Sequence, residues 1–318
     1  MNVKLFVKAI IAWCLALLLL DFILGNILED GEILTSSGNP SNRRKRLPDA
    51  IIIGAMKGGT TTLHNFLFLH PDVKGLKFKE AQFFNFNFEN GFNWYIEQME
   101  AANEDEVVVE KSIYFHHKVA SERIWKTFGN KIKLILIVKD PVERLLSQYA
   151  MQFDNSVFNR TFSSLAFKSI DGKLTVNTAY GPVNVSNYAK WMKIWLDAGF
   201  DLSNFLIIDG HKFSQDPLPE LIKVEQFIGL RHMFSEDSFY FNETRGFACV
   251  RPNFTFANGS PSNLDGGCAE AECGRKHPTL KLNELNLLYQ FYAPFNIEFF
   301  KLIRMEFPDW HFKTAQTR

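Results

Sequence analysis

The junction where Ile51-Ile52-Ile53 runs into Gly54-Ala55-Met56-Lys57-Gly58-Gly59-Thr60-Thr61-Thr62 constrains the fold more than any other part of this sequence. Three consecutive β-branched residues predict a short strand buried on both faces. The glycines predict a turn, and the spacing beyond it predicts a helix over residues 61–69, ended by Pro71. Glycines let backbone N–H groups crowd around an anion, and a helix N-terminus adds a positive dipole end. The segment therefore predicts a phosphate cradle. The nucleoside-triphosphatase loop places its lysine after the second glycine. Here Gly54 and Gly59 fit that frame, but Thr60 stands in the lysine position and the lysine is moved forward to Lys57. This disfavours a kinase or an ATPase.

Continuous apolar runs recur at residues 107–109, 134–138 and 205–208, each followed by a helical pattern, the last over residues 218–227. Short apolar strands alternating with helices predict an α/β fold: a P-loop-like parallel sheet flanked by helices. In such sheets ligands bind at the carboxyl ends of the strands. The run at 134–138 ends in Lys139-Asp140-Pro141, and the following helix carries Arg144 and Ser147. Lys139 and Ser147 are thus placed to hold a second phosphate.

The chain has 318 residues, and Lys plus Arg and Asp plus Glu both number 35. A formal charge of zero argues against a partner held by whole-surface charge, nucleic acid included, while leaving room for a local basic cleft. Lys4 and Lys8 precede the apolar run AIIAWCLALLLL, which Asp21 interrupts. We read residues 1–8 as a cytoplasmic tail and 9–28 as a signal-anchor or signal segment. Residues 29–47 read as a polar stem and 48–312 as a lumenal domain. Asn159, Asn184, Asn242, Asn253 and Asn258 open Asn-x-Ser/Thr sequons, consistent with a secretory destination. Beyond Cys14 lie Cys249, Cys268 and Cys273, enough for one disulfide and one remaining thiol, without the ligand spacing of a zinc site.

The segments RLPDAIIIGAMKGGTTTLHNFL, VVVEKSIYF, LILIVKDPVERLLSQY, LIIDGHKFSQDPLPELIKVEQFIGL and FYFNETRGFAC with its later GRKHP resemble the heparan sulfate glucosaminyl 3-O-sulfotransferases across residues 47–310. The first and third mark sulfotransferases that use 3′-phosphoadenosine 5′-phosphosulfate (PAPS) in general. EAQFF with NGFNWYIEQM, and EKSIYF, resemble the heparan sulfate branch, N-sulfotransferases included; those carry a large deacetylase domain for which this chain lacks room. The resemblance implies a Golgi-lumenal, single-pass type II membrane protein and a PAPS donor without a metal. It implies that Lys57, Gly58, Gly59, Thr60 and Thr61 hold the 5′-phosphosulfate and that Lys139 and Ser147 hold the 3′-phosphate. Gly274, Arg275, Lys276 and His277 would close over the nucleotide. Glu80 would be the catalytic base, with Gln82, Asn85, Lys111, Ser112, Ile113 and Tyr114 around the acceptor. Cys249–Cys268 would be the disulfide.

This chain departs from the family's usual pattern at four positions. Gln82 stands for His, Asn85 for Asp, Lys139 for Arg and Cys273 for Lys. Gln82 and Asn85 resemble the N-sulfotransferase branch, so N-sulfation is the alternative acceptor chemistry. A non-catalytic heparan-binding protein is the other, opposed by retention of Lys57 and Glu80. Lys139 gives up the bidentate fork of an arginine. Cys273 leaves a Cys249–Cys273 bridge open. Lys74, Lys77, Lys79, Lys111 and Lys118 are the candidate cationic contacts to a polyanionic acceptor.

Overall fold

Isoleucines at 51, 52 and 53 are all fully buried because the strand they form is covered on both faces. This strand, β1 (Ala50–Gly54), leads into α1 (Thr60–Leu67) and β2 (Val73–Gly75). Then come α2 (Gly91–Glu97), β3 (Val107–Lys111), α3 (Lys118–Phe128), β4 (Lys133–Val138) and α4 (Pro141–Asp154). A short helix α5 (Phe162–Ala166) and the hairpin β5 (Phe167–Ile170) and β6 (Lys173–Val176) precede α6 (Gly181–Val185) and α7 (Tyr188–Asp197). After β7 (Phe205–Asp209) follow α8 (Gly210–Gln215), α9 (Leu218–Ile228) and the hairpin β8 (Phe239–Asn242) with β9 (Phe247–Val250). The two-residue strands β10 (Leu264–Asp265) and β11 (Cys268–Ala269) and the long α10 (Leu282–Ile303) complete the order.

The computed structural model describes residues 43–76, 80–154, 160–251, 264–265, 267–269 and 275–310. The expected tail, membrane segment and most of the stem lie outside them. Among the described residues, no helix is long and apolar enough to cross a membrane.

The central sheet has the order β2-β3-β1-β4-β7, and every pairing in it is parallel. Ile51 is registered with Glu110 on one side and Leu134 on the other. Alternate residues point to opposite faces. Ile51, Ile53, Leu134 and Leu136 therefore pack with Tyr188, Trp195 and Phe299. Ile52, Ile135 and Ile137 pack on the other face with Leu63, Phe66, Leu221 and Val224. The expected doubly covered parallel sheet is the observed one. The chain leaves β1 toward β2 on one side, returns through β3, and continues to β4 on the other, so the switch point lies at the carboxyl end of β1.

Two further elements are the β5–β6 hairpin and α10, which runs 22 residues with Pro294 inside it. A third apolar cluster explains both. Val176 of the hairpin and Leu288 and Tyr292 of α10 are buried together against Val142, Leu145 and Tyr149 of α4.

Candidate active site

The turn after β1 is built almost entirely from backbone. Ala55 N–H donates to Ile137 O at 2.8 Å and Gly58 N–H to Ala55 O at 2.8 Å, which seats the turn on the end of β4. A Cβ on Gly58 would lie 2.2 Å from Ile137 O, so no side chain fits there. Gly210 approaches the turn from α8, and a Cβ there would lie 2.4 Å from Gly58 O. Lys57 is left-handed at φ 66° and Gly59 has φ 120°. An L-residue held left-handed costs about 1 kcal/mol, a strain that collects at functional sites. Arg144, fully buried, braces the turn from behind. Its Nη1 donates to Met56 O at 3.3 Å and to Gln148 Oε1 at 2.7 Å, while Nη2 reaches Pro182 O and Nε reaches Ser186 Oγ, each at 2.7 Å.

No side chain caps α1, so its first N–H groups face the cleft without a local acceptor from a cap residue. At the end of β4, Asp140 Oδ1 accepts from Val142 N–H at 2.8 Å and Glu143 N–H at 3.1 Å. This cap starts α4 directly after Lys139 and points Ser147 into the same space. A cavity of about 590 Å³ is lined by Lys57, Gly59, Thr60, Thr61, Thr62, Glu80, Ile113, Lys139, Ser147, Arg275 and His277. That is the size of a small-ligand cleft. Met56, Glu143, Met151, Gly210, Phe213, Ser214 and Arg245–Ala248 complete its wall. Desolvation lowers the His277 imidazole below its ordinary value; Glu143 opposes this, and the Lys139 and Lys57 charges add to it. Arg275 Nε meets Asp154 Oδ2 at 2.9 Å, tying the late segment to the end of α4.

Glu80 enters the cavity from the other side. Lys111, the buried last residue of β3, holds Glu80 Oε1 at 2.9 Å. Gln82 Nε2 donates to the other oxygen, Oε2, and Asn85 Nδ2 donates to Gln82 Oε1 at 2.6 Å. Gln82 is left-handed at φ 48° and opens a π-helical turn, Phe83–Asn87, whose Phe83 stacks on Tyr95 at 4.3 Å. Such turns frequently mark functional sites. Beneath them lies Glu110, fully buried, which accepts from the hydroxyls of Ser112 at 2.6 Å, Tyr114 at 2.7 Å and Tyr95. Burial pushes the Glu110 carboxyl up; the three hydroxyl bonds oppose this and the Glu80 charge adds to it.

The expected residues thus fall into three groups. Lys57, Gly59, Thr60, Thr61, Glu80, Ile113, Lys139, Ser147, Arg275 and His277 share one cavity. Gly58 is part of the turn, Lys111 and Gln82 bond Glu80, Asn85 bonds Gln82, and Ser112 and Tyr114 bond Glu110; none of these six lines that cavity. Lys276 is exposed away from the lining, and Gly274, Cys273, Lys77 and Lys79 lie outside the described residues. Glu110 and Arg144 were not singled out as site residues. A glutamate inside the apolar run VVVEK was the available signal for the first.

Cys249 and Cys268 are bonded, with their Cα atoms 4.4 Å apart. Of the sequons, Asn184 uses its Nδ2 to donate to Thr178 O at 2.6 Å, and Asn242 Oδ1 accepts from Arg245 N–H at 3.1 Å. Asn159, Asn253 and Asn258 lie outside the described residues. Among the described residues, no group of three or more His, Cys, Asp or Glu side chains is placed to hold a metal ion.

Residues 47–286 match the sulfotransferase domain family. The chain is 35% identical over 264 residues to mouse (Mus musculus) heparan sulfate glucosamine 3-O-sulfotransferase 3A1, a match covering 83% of this chain and 64% of that one. It thus spans just under two thirds of that relative's length. It is 35% identical over 265 residues to human (Homo sapiens) heparan sulfate glucosamine 3-O-sulfotransferase 6, covering 83% and 74%. With the mouse enzyme numbered 5 the identity is 36% over 263 residues, covering 81% and 72%. A crystal structure of a sulfotransferase from Alicyclobacillus acidocaldarius has the same fold, with a TM-score of 0.60 at 17% identity over 83% of this chain and 99% of that one. The chain belongs to the sulfotransferase domain family and, within it, to the heparan sulfate glucosamine 3-O-sulfotransferases.

Proposed function

We propose that this protein transfers the sulfuryl group of PAPS to the 3-hydroxyl of a glucosamine residue in heparan sulfate. The observation that carries the reading is one cavity lined on one side by Lys57 and the start of α1 and on the other by Glu80. A glycine turn leading into a helix start that no side chain caps suits a donor phosphate held close to backbone. Lys57 meets the negative charge that grows on the oxygen leaving with the nucleotide, a preorganised electrostatic effect that is often the largest contribution to catalysis. Lys139 and Ser147, one at the end of β4 and one on α4, hold the 3′-phosphate, and His277 and Arg275 close that side. Lys111 and Gln82 each occupy one oxygen of Glu80. An ionised carboxylate has about four acceptor sites, so Glu80 keeps capacity to take the proton of a sugar hydroxyl.

The relatives' names point to the sugar and to the position. Gln82 and Asn85, which resemble the N-sulfotransferase branch, favour the amine as the competing acceptor. Labelled PAPS given with N-sulfated heparan sulfate, and separately with fully de-N-sulfated polymer, distinguishes the two. Label at the 3-oxygen of the first is expected. Label on the amine of the second, with none at the 3-oxygen of the first, overturns the reading.

Residues 9–28 serve as a signal-anchor that places the domain in the Golgi lumen. Lys4 and Lys8 before the apolar run and a Cys249–Cys268 bridge suited to an oxidising compartment support this. A C-terminal tag should survive external protease in intact vesicles, and its digestion would refute the topology.

A further inference from the structure

Four hydroxyl and backbone contacts connect the buried Glu110 to the arm that carries Glu80. Ser112 Oγ has one proton, and it donates that proton to Glu110 Oε1 at 2.6 Å. The oxygen is then left as an acceptor, and Gln82 N–H donates to it at 3.1 Å. Tyr114 repeats the pattern. Its hydroxyl donates to Glu110 Oε1 at 2.7 Å and accepts from Phe83 N–H at 2.8 Å. Tyr95 donates to the remaining carboxylate oxygen. Three hydroxyl donors converging on one carboxyl fit the acceptor-only, ionised form. Without that charge, neither hydroxyl has a fixed direction. Gln82 and Phe83 begin the π-helical turn, and Gln82 is left-handed, a conformation that its neighbours have to enforce. The Gln82 side chain ends on Glu80 Oε2.

We infer that Glu110, Ser112 and Tyr114 form a positioning unit for Glu80: the Glu110 carboxylate orients both hydroxyls, and these pin the backbone of Gln82 and Phe83. Ser112 and Tyr114 then act behind the acceptor site instead of touching the acceptor. The inference rests on the reading of Glu80 as the base, and it sets the aim of that base and leaves the donor cradle untouched.

The test measures kcat with N-sulfated heparan sulfate and the affinity for 3′-phosphoadenosine 5′-phosphate (PAP) in Ser112→Ala, Tyr114→Phe and Glu110→Ala. A misplacement of about 1 Å costs up to about a hundredfold, so kcat is expected to fall by about tenfold to a hundredfold with PAP affinity unchanged. Gln82→Asn tolerates the left-handed backbone but is too short to reach Glu80. In that background, Ser112→Ala is expected to produce no further loss, because both changes interrupt one path. Wild-type kcat in Ser112→Ala, or losses that multiply in the double variant, overturns the inference. If Glu110→Ala is not recovered folded, Ser112→Ala, which removes one acceptor, decides. Glu80→Gln run alongside separates the two levels. Full turnover there removes Glu80 as base, whereas an inactive Glu80→Gln beside a wild-type Ser112→Ala removes the positioning unit alone.

Discussion

The two walls of the cavity are made in different ways. On the donor side the shape comes from backbone: Ala55, Gly58 and Gly59 are fixed by main-chain bonds to Ile137, Ala55 and Leu63, and glycine is required at 58 because Ile137 O stands where a Cβ would go. On the acceptor side the shape comes from side chains, with Lys111, Gln82, Asn85, Ser112 and Tyr114 bonded around Glu80 and Glu110. A backbone cradle recognises a phosphate, a group common to every donor of this kind. A side-chain network can be retuned one residue at a time, which is where acceptor preference can change while the fold stays fixed.

This contrast can be broken experimentally. Glu80→Gln should lower kcat by about 10²–10⁴-fold while PAP affinity survives, since a placed general base contributes that much. Lys57→Ala should lower kcat by about 10²–10³-fold, the loss typical of one preorganised charge-stabilising donor. A collapse of PAP affinity in Glu80→Gln would show the two walls to be one coupled site.

Gly58→Ala sharpens the donor side. Its methyl meets Ile137 O, which belongs to a central strand and cannot move aside as a side-chain end could. Overpacking of this kind costs about 1–3 kcal/mol, and the turn should lose PAP affinity together with stability. An alanine variant with unchanged melting temperature and PAP affinity would mean that the turn is softer than its bonds indicate.

The smallest effect comes from two histidines whose imidazoles are lowered by burial. His64 of α1 is lowered to about 4, chiefly by burial and then by the Lys111 charge, and burial lowers His116 to about 3. Between the ordinary histidine value and these, the unfolded chain binds protons that the folded one refuses. Stability therefore rises with pH across that window and is lost as pH falls through it. Melting temperature should drop from pH 7 to pH 4, and His64→Leu should make the drop shallower. An unchanged slope in that variant would place the acid sensitivity elsewhere.

The donor wall was legible in the sequence because backbone geometry leaves local marks. Glycines adjoin a β-branched run, and Lys139-Asp140-Pro141 joins a strand end to a helix cap and a first-turn proline. The helix foreseen over 61–69 is Thr60–Leu67, and the strand foreseen at 205–208 runs to Asp209. The acceptor wall left weaker marks. Glu110 reads as an ordinary charge until the parallel register puts it beside Ile51 in the middle of the sheet. The left-handed Gln82 carries no glycine to announce it. Arg144 sits on a helix with the spacing of a surface residue, yet α6 folds over it and leaves it fully buried.

The mutual approach of Gly58 and Gly210 bears on how this protein can vary. Each faces a carbonyl oxygen, Ile137 O in one case and Gly58 O in the other. A larger residue at either position cannot be accommodated by moving a side chain alone: the Lys139 side chain stands 2.9 Å from a Cβ at Gly210, but the carbonyl oxygens would still block it. Only a shift in the course of the main chain would make room, and that shift would move the end of β4 and the start of α8 together. Single substitutions at these two positions are closed off as steps in drift or in directed evolution, and a library that aims to change the donor should leave both fixed and vary the residues around them.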